Sequence, residues 1–372
     1  MNRKIKQTIQ TRNVIFFAFL FCFMGLPIAL AAEIKAESQV MVVVGNAKIM
    51  QGTKQISKAT RGDVLQVTQI KGDWLGIAAR KGWVLKKQVV PISLATGYFT
   101  KKIKEKPSAD NYFFRGIAYL NSKQNKEAIN DFNKANQQNP QKSEYLTRRG
   151  LAYLGLKQKE QAMKDFSAAI KLNPKDADAY YNRSILFFDS HFFQKAMADL
   201  DASIKINNQY APAYNYRGVL WKDQKKYAQA IADYSQAIKL NPEFAPPFAN
   251  RGFVKKKLGT YDEAIKDYLI AIQLDPQVAD PRNDLAWLLA TCQDKKYRNG
   301  KEALKHAKKA CDLWRYKNFE GLDTLAAAYA ETGEFKQAIQ WIEKAIVVAP
   351  QNEKTKLKKR KQLYKNERPF HE

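Results

Sequence analysis

Two charged side chains recur along this 372-residue chain at one fixed distance. Arg115, Arg149, Arg183, Arg217 and Arg251 stand 34 residues apart, and Asp131, Asp165, Asp199, Asp233 and Asp267 run at the same spacing. A row of guanidinium groups standing alone would line a groove for anionic ligands. With a carboxylate row of equal period beside it, ion pairs joining helices within or between successive repeats are the better account, so the Arg–Asp ladder is read as structural. The other reactive side chains form no constellation. His191, His306 and His371 lie far apart, and no His or Cys pair has the spacing of a metal site. Neither a phosphate-cradling glycine loop nor a Gly-x-Ser-x-Gly elbow is present, and no Cys has a plausible base. The expectation is a chain without catalytic residues, metal or cofactor, and not an enzyme.

The elements that carry the two ladders share their period. Gly116, Gly150, Ser184, Gly218 and Gly252 are 34 apart, as are Ala128, Ala162, Ala196, Ala230 and Ala264. Pro140, Pro174, Pro242 and Pro276 keep the same phase, with Asn208 as the one substitution. Aromatic residues Tyr112, Tyr180, Tyr214 and Phe248 precede the small residues, and Phe132, Phe166, Leu200, Tyr234 and Tyr268 follow the alanines. Small residues let two antiparallel helices approach, the rings fill the space between neighbouring hairpins, and proline ends the second helix. This pattern resembles the tetratricopeptide repeat. The resemblance implies a mostly α chain whose body, 109–350, is an α-solenoid of about seven helix-turn-helix repeats starting near 109, 143, 177, 211, 245, 279 and 319. The sixth repeat carries extra residues at 291–300.

Tetratricopeptide solenoids usually capture peptides on a concave face lined by first helices. In this register that face includes Phe113, Ile117, Tyr181, Ile185, Phe188, Asn215, Val219, Phe253 and Lys256. Their apolar and aromatic character suits an extended or helical apolar segment. The family's carboxylate clamp is not reproduced: Asn182 and Asn250 hold one of its positions, but Tyr216 and Asp284 stand at the matching sites in the following repeats.

Ahead of the repeats, 37–92 alternates short β-rich runs with Gly-containing turns. Gly62-Asp63-Val64-Leu65, Gly72-Asp73-Trp74-Leu75 and Gly82-Trp83-Val84 resemble the bacterial SH3-like domain, a small β-barrel. That resemblance makes Trp83 a core residue and Trp74 the exposed, ligand-facing candidate. Residues 93–108 read as a linker or capping helix. Residues 351–372, with Lys354, Lys356, Lys358, Lys359, Arg360 and Lys361, read as a solvated basic capping helix and tail.

Lys and Arg number 63 against 36 Asp and Glu, a formal net charge of +27. Such an excess raises nucleic acid, anionic lipid and acidic wall polymers as partners. Residues 1–32 change that reading. Arg3, Lys4, Lys6 and Arg12 precede an apolar run, 14–30, and Ala29-Leu30-Ala31 offers a cleavage site: the three parts of a secretory signal. The alternative is an inner-membrane anchor over 14–31, short for a spanning helix and broken by Gly25 and Pro27. Export to the periplasm or beyond the cell removes nucleic acid from the expected partners. Cys292 and Cys311 then remain; helix geometry separates them by roughly 15 Å, which argues against a disulfide. The function expected is a non-catalytic exported scaffold that binds a protein or peptide on the concave face. The alternative is an envelope-anchoring protein whose SH3-like domain binds peptidoglycan with the repeats as a spacer; the basic run at 354–361, read first as a cap, is the segment that would meet an anionic envelope surface.

Overall fold

The structure, a computed structural model, describes residues 34–77 and 82–372. The export segment expected at 1–32 lies outside the described residues. The chain divides into two compact units at Ala162/Met163.

The first unit opens with β1 (Gln39–Val42), β2 (Asn46–Gln51), β3 (Lys54–Thr60), β4 (Val64–Lys71), β5 (Trp74–Ile77), β6 (Gly82–Leu85) and β7 (Val89–Pro91). They form one sheet in the order β3-β2-β6-β5-β4-β1-β7. Gly52 at φ 60° and Gly72 at φ 57° turn β2 into β3 and β4 into β5. A side chain at either would meet open space, so glycine is needed there for the sign of φ alone. Alternation sends Val40, Val42, Ile49, Leu65, Val67, Leu75 and Val84 into one core. The register between β5 and β6 pairs Leu75 with Val84 and Gly76 with Trp83. Val84, not Trp83, therefore faces the core. Trp83 stands half-buried on the opposite face with its ring against Gly76, which corrects the core role expected of it. Trp74, paired with Leu85, shares that outer face and is also half-buried.

Helix α1 (Ile92–Glu105) joins the sheet to the helical array. Its Ala95 and Phe99 are buried with Met41, Val43 and Val90 of the sheet and Ala118 of the next helix. α2 (Ala109–Asn121) and α3 (Asn125–Gln138) form the first hairpin, α4 (Ser143–Gly155) follows, and α5 (Lys159–Leu172) contains the division between the units.

The second unit continues with α6 (Ala177–Asp189), α7 (Phe193–Ile206), α8 (Ala211–Asp223), α9 (Tyr227–Leu240), α10 (Ala245–Lys257) and α11 (Tyr261–Leu274). The sequence dictates each hairpin in the same way. Within it, the first helix brings its small residue onto the ring of the second: a Cβ at Gly218 would lie 2.6 Å from Tyr234, as one at Gly116 would from Phe132 in the first unit. Where glycine gives way to Ser184, the ring gives way to Leu200, so the volume is kept. The turn between the helices repeats too. Lys123, Lys157, His191, Lys225 and Gly259, each 34 residues apart, all have positive φ. His191 is thus a turn residue.

α12 (Asp280–Thr291) and α13 (Gly300–Leu313) enclose the extra residues, which form a short 3-10 turn at Lys295–Tyr297. Arg298 ties them down by donating to the carbonyls of Cys292 (2.8 Å) and Gln293 (2.9 Å) and to Glu331 (3.0 Å). α14 (Phe319–Glu331), α15 (Phe335–Val348) and α16 (Gln351–Lys365) complete the unit. α14 is buried from Gly321 to Ala330. α16 differs from the solvated cap expected of it. Leu357 and Tyr364 are fully buried, and Arg360 forks onto both carboxylate oxygens of Asp323. Burial pushes the Asp323 carboxyl up to about 6 even with Arg360 beside it. Cys292 and Cys311 are both buried and free, and burial pushes the Cys311 thiol up to about 12.

Rings removed from water at the small-residue contacts each contribute about 1.5–3 kcal/mol. The Tyr234 and Tyr268 hydroxyls are buried there without a hydrogen-bond partner among the described residues. Phe occupies the same register at Phe132 and Phe166. Tyr234→Phe is expected to stabilise the chain by about 1 kcal/mol, because an unmet buried hydroxyl costs about 1–3 kcal/mol. Gly218→Val is expected to destabilise it by about 2 kcal/mol through the clash with the same ring. Chemical denaturation of the two variants checks the opposite signs.

Candidate functional site

The described arginines of the ladder all point into the array. Arg115 Nε and Nη2 donate to the two carboxylate oxygens of Asp131 at 2.6 and 2.7 Å. Arg183 with Asp199, Arg217 with Asp233 and Arg251 with Asp267 repeat the fork at 2.7–2.9 Å. Each of these pairs joins the two helices of one hairpin. The residues of the remaining rung, Arg149 and Asp165, belong to different units. The aspartates are buried, from 2% exposed at Asp131 and Asp267 to 6% at Asp199 and Asp233. The hydrogen bonds to Asp131 and Asp199 raise the pKa of Arg115 and Arg183, so both guanidinium groups stay charged. An aromatic residue three positions earlier covers each guanidinium: Tyr112, Tyr180, Tyr214 and Phe248 lie 5.6–5.8 Å away.

The third donor of each arginine was not foreseen. Nη1 reaches back to the second helix of the preceding hairpin: Arg183 to Ser167 (3.3 Å), Arg217 to Asp201 (2.7 Å) and Arg251 to Ser235 (2.9 Å). Arg149 donates to Asn133 (2.6 Å) in the same way, and Arg115 reaches Thr100 of α1 (3.1 Å). Asn133, Ser167, Asp201 and Ser235 are themselves 34 apart, a polar row that was visible in the sequence. One guanidinium therefore closes its own hairpin and bonds the one before it.

With the arginines engaged, the open chemistry lies on the other side of the first helices. In the first unit little of it is free. Phe113 is 4% exposed, its ring 5.8 Å from Phe132 and 4.8 Å from Tyr145, so it belongs to the core and not to a ligand surface. Ile117 and Phe114 pack under the β3–β4 turn, where a Cβ at Gly62 would collide with Phe114. Trp74 lies apart, on the outer face of the sheet.

The second unit assembles the rest. Tyr181 of α6 meets Tyr210 and Tyr216 edge-on at 5.3 and 6.2 Å, and Phe188 meets Tyr216 at 5.7 Å. Ile185 and Val219 lie half-buried in the same register of α6 and α8. Burial raises the pKa of the Tyr181 and Tyr216 hydroxyls, so both remain neutral donors. Asn215 accepts a hydrogen bond from Asn250 at 3.0 Å, linking α8 to α10. Beyond it, three ammonium groups surround the half-buried ring of Phe253: Lys222 at 5.5 Å, Lys256 at 5.2 Å and Lys257 at 5.9 Å. Lys256 also reaches Asp284 of α12 at 3.6 Å, whose carboxyl pKa burial raises. Lys222, Lys257 and Tyr216 were not foreseen as site residues, although Lys222 stands one period before Lys256. Among the described residues no cluster of His, Cys, Asp and Glu could hold a metal, and no helix is long and apolar enough to cross a membrane.

Two family models described as tetratricopeptide repeat match the array, one at 143–176 and 211–244, the other at 109–142, 245–278 and 320–352. The chain carries tetratricopeptide repeats. Solved structures agree on the fold. The APC/C hetero-tetramer Cut9-Hcn1 gives a TM-score of 0.60 at 15% identity, over 73% of this chain and 52% of that one. PilF of Pseudomonas aeruginosa gives 0.50 at 16% identity, over 56% of this chain and 92% of that one. A comparison with curated proteins gives no match. Between the matched tetratricopeptide repeats lie 177–210, where Ser184, Leu200 and Asn208 replace the usual glycine, aromatic and proline residues, and 279–319, which holds the insertion. Both still fold as hairpins, 177–210 with the positive-φ turn of its neighbours at His191 and 279–319 around its inserted 3-10 turn.

Removing one member of a buried pair leaves the other unpaired, at about 3–5 kcal/mol. Arg217→Leu is expected to lower the denaturation free energy by that amount. Arg217→Leu with Asp233→Leu should recover part of the loss, since the one carboxylate then left without its arginine, Asp201, is exposed to water.

Proposed function

We propose that the chain is a non-catalytic, exported scaffold that holds a protein or peptide partner along the first-helix face of α6, α8 and α10. Tetratricopeptide-repeat proteins bind protein or peptide partners, and the repeats here present a face with two chemistries in series. The observation that carries the reading is the Phe253 ring among three lysines, one repeat beyond the Tyr181, Phe188 and Tyr216 cluster. An extended segment would lay apolar side chains against the tyrosines and Phe188 and a carboxylate among Lys222, Lys256 and Lys257. Ile185, Val219 and Asn215 line the path between them. Rigid rings lose little entropy when covered, whereas a desolvated carboxylate needs its ammonium partners, so the two ends fix direction as well as affinity.

Export is part of the proposal and rests on the three-part signal in 1–32. The SH3-like reading of the β region rests on its Gly-Asp and Gly-Trp-Val turns and adds a second contact surface on the face that carries Trp74.

Cross-linking the intact chain in an envelope extract, beside Tyr181→Ala/Phe253→Ala and Lys222→Glu/Lys256→Glu variants, tests the reading. A partner retained by the intact chain should fall at least tenfold with either variant, while melting of the array stays within a few degrees. Equal retention by all three would move the binding surface elsewhere, and finding the uncleaved chain in the cytosol would remove the export claim.

A further inference from the structure

The chain's last described residues do not trail into solvent. After α16 the backbone turns at Glu367 (φ 52°) and returns to the first-helix face of α12. There Phe370 lies 6.0 Å from the ring of Trp287, and the Arg360 guanidinium covers both rings, 5.3 Å from Trp287 and 5.2 Å from Phe370. Trp287 Nε1 donates to the Glu372 carboxylate at 2.7 Å. The amide of Glu372 donates to the Thr291 carbonyl at 2.7 Å, and the amide of Gln293 donates to a main-chain oxygen of Glu372 at 3.0 Å. His371 Nε2 faces Glu331 at 2.7 Å. An extended segment is thus held by one ring, one carboxylate and two main-chain bonds, the elements by which a protein groove reads a peptide.

The place is not arbitrary. Trp287 stands one period after Phe253, in the register of Ile185 and Val219, so the tail lies on the same side of its helix as the partner face proposed above. The contacts are also specific in chemistry. The indole N–H favours a carboxylate, and the indole face with the Arg360 guanidinium, itself held on Asp323, favours a second ring. Pro369 and Phe370 are half-buried, and the residues on either side, Glu367 and Arg368 before them and His371 and Glu372 after them, are exposed, so the segment lies over the site at its surface.

We propose that the first-helix face of α12 with Arg360 is a second ligand site, for an extended segment bearing an aromatic residue and, two positions later, a carboxylate. Residues 369–372 occupy it in the resting chain, and a partner segment of that chemistry displaces them. A short tether holds the tail at an effective concentration on the order of millimolar, so only a partner richer in contacts, or locally concentrated, opens the site. The site is separate from α6, α8 and α10, and its test does not depend on theirs.

The test uses the full-length chain and a labelled peptide with the sequence of residues 366–372. Phe370→Ala/Glu372→Gln empties the site in place. Fluorescence anisotropy is expected to show the peptide binding this variant at least tenfold more tightly than the intact chain, and losing that binding when Trp287→Ala is added. Should the emptied variant fold poorly, the intact chain carries the test: saturating peptide should accelerate hydrogen exchange of the Glu372 amide at least tenfold. Equal binding to emptied and intact chains, no binding to a folded emptied variant, or exchange unmoved by peptide would overturn the proposal and leave the tail a fixed strap.

Discussion

A carboxylate buried inside a stack of helices has to be answered, and in this chain an arginine answers it from a neighbouring helix, joined at Asp267 by Lys255. Asp131, Asp199, Asp233 and Asp267 are too deeply buried for water to neutralise, so the guanidinium fork opposite fixes the angle and register of each hairpin. Because arginine has five N–H donors in one plane, the same group retains Nη1 for the hairpin before it. Lysine could supply the charge but not the two directions. The array thereby gains a polar link at every step, in addition to the ring-on-glycine packing that any stacked hairpins need.

The limits of the row show how it is used. One period after Arg251 the residue is Leu285, fully buried, and one period after Ser235 it is Leu269, exposed. With no guanidinium arriving, the preceding helix needs no acceptor. The insertion enters in that same repeat, and there Arg298 and Arg360 take over, tying the inserted turn to Glu331 and α16 to Asp323. Turning the arginines inward also leaves other side chains on the opposite side of the first helices. The β3–β4 turn covers α2 and the tail covers α12, while α6, α8 and α10 present tyrosines, Phe188 and the lysine-ringed Phe253.

The sequence made the periodic part of this architecture legible, because each repeat solves one packing problem again: the small residue, the ring, the Arg and the Asp all sit where the period puts them. What escaped was whatever depends on a neighbour outside the period. Phe113 occupies a first-helix position that suggests exposure, yet Phe132 and Tyr145 enclose it. Trp83 follows a strand alternation whose parity is set only by the pairing of Leu75 with Val84. The bond between Trp287 and Glu372 joins residues 85 apart, with no repeat to announce it. The Nη1 acceptors are a different case. Asn133, Ser167, Asp201 and Ser235 are fully periodic, but their varied chemistry hides a single role, that of accepting one N–H.

The central claim is that Arg183, Arg217 and Arg251 each bond two hairpins and not one. Native-state hydrogen exchange on Arg251→Leu tests it directly, since Arg251 bonds Asp267 of α11 and Ser235 of α9. The account predicts that amides of α9 and α11 lose protection together, by a similar factor, while α7 is little changed. Loss confined to α11, with α9 as protected as in the intact chain, would contradict it.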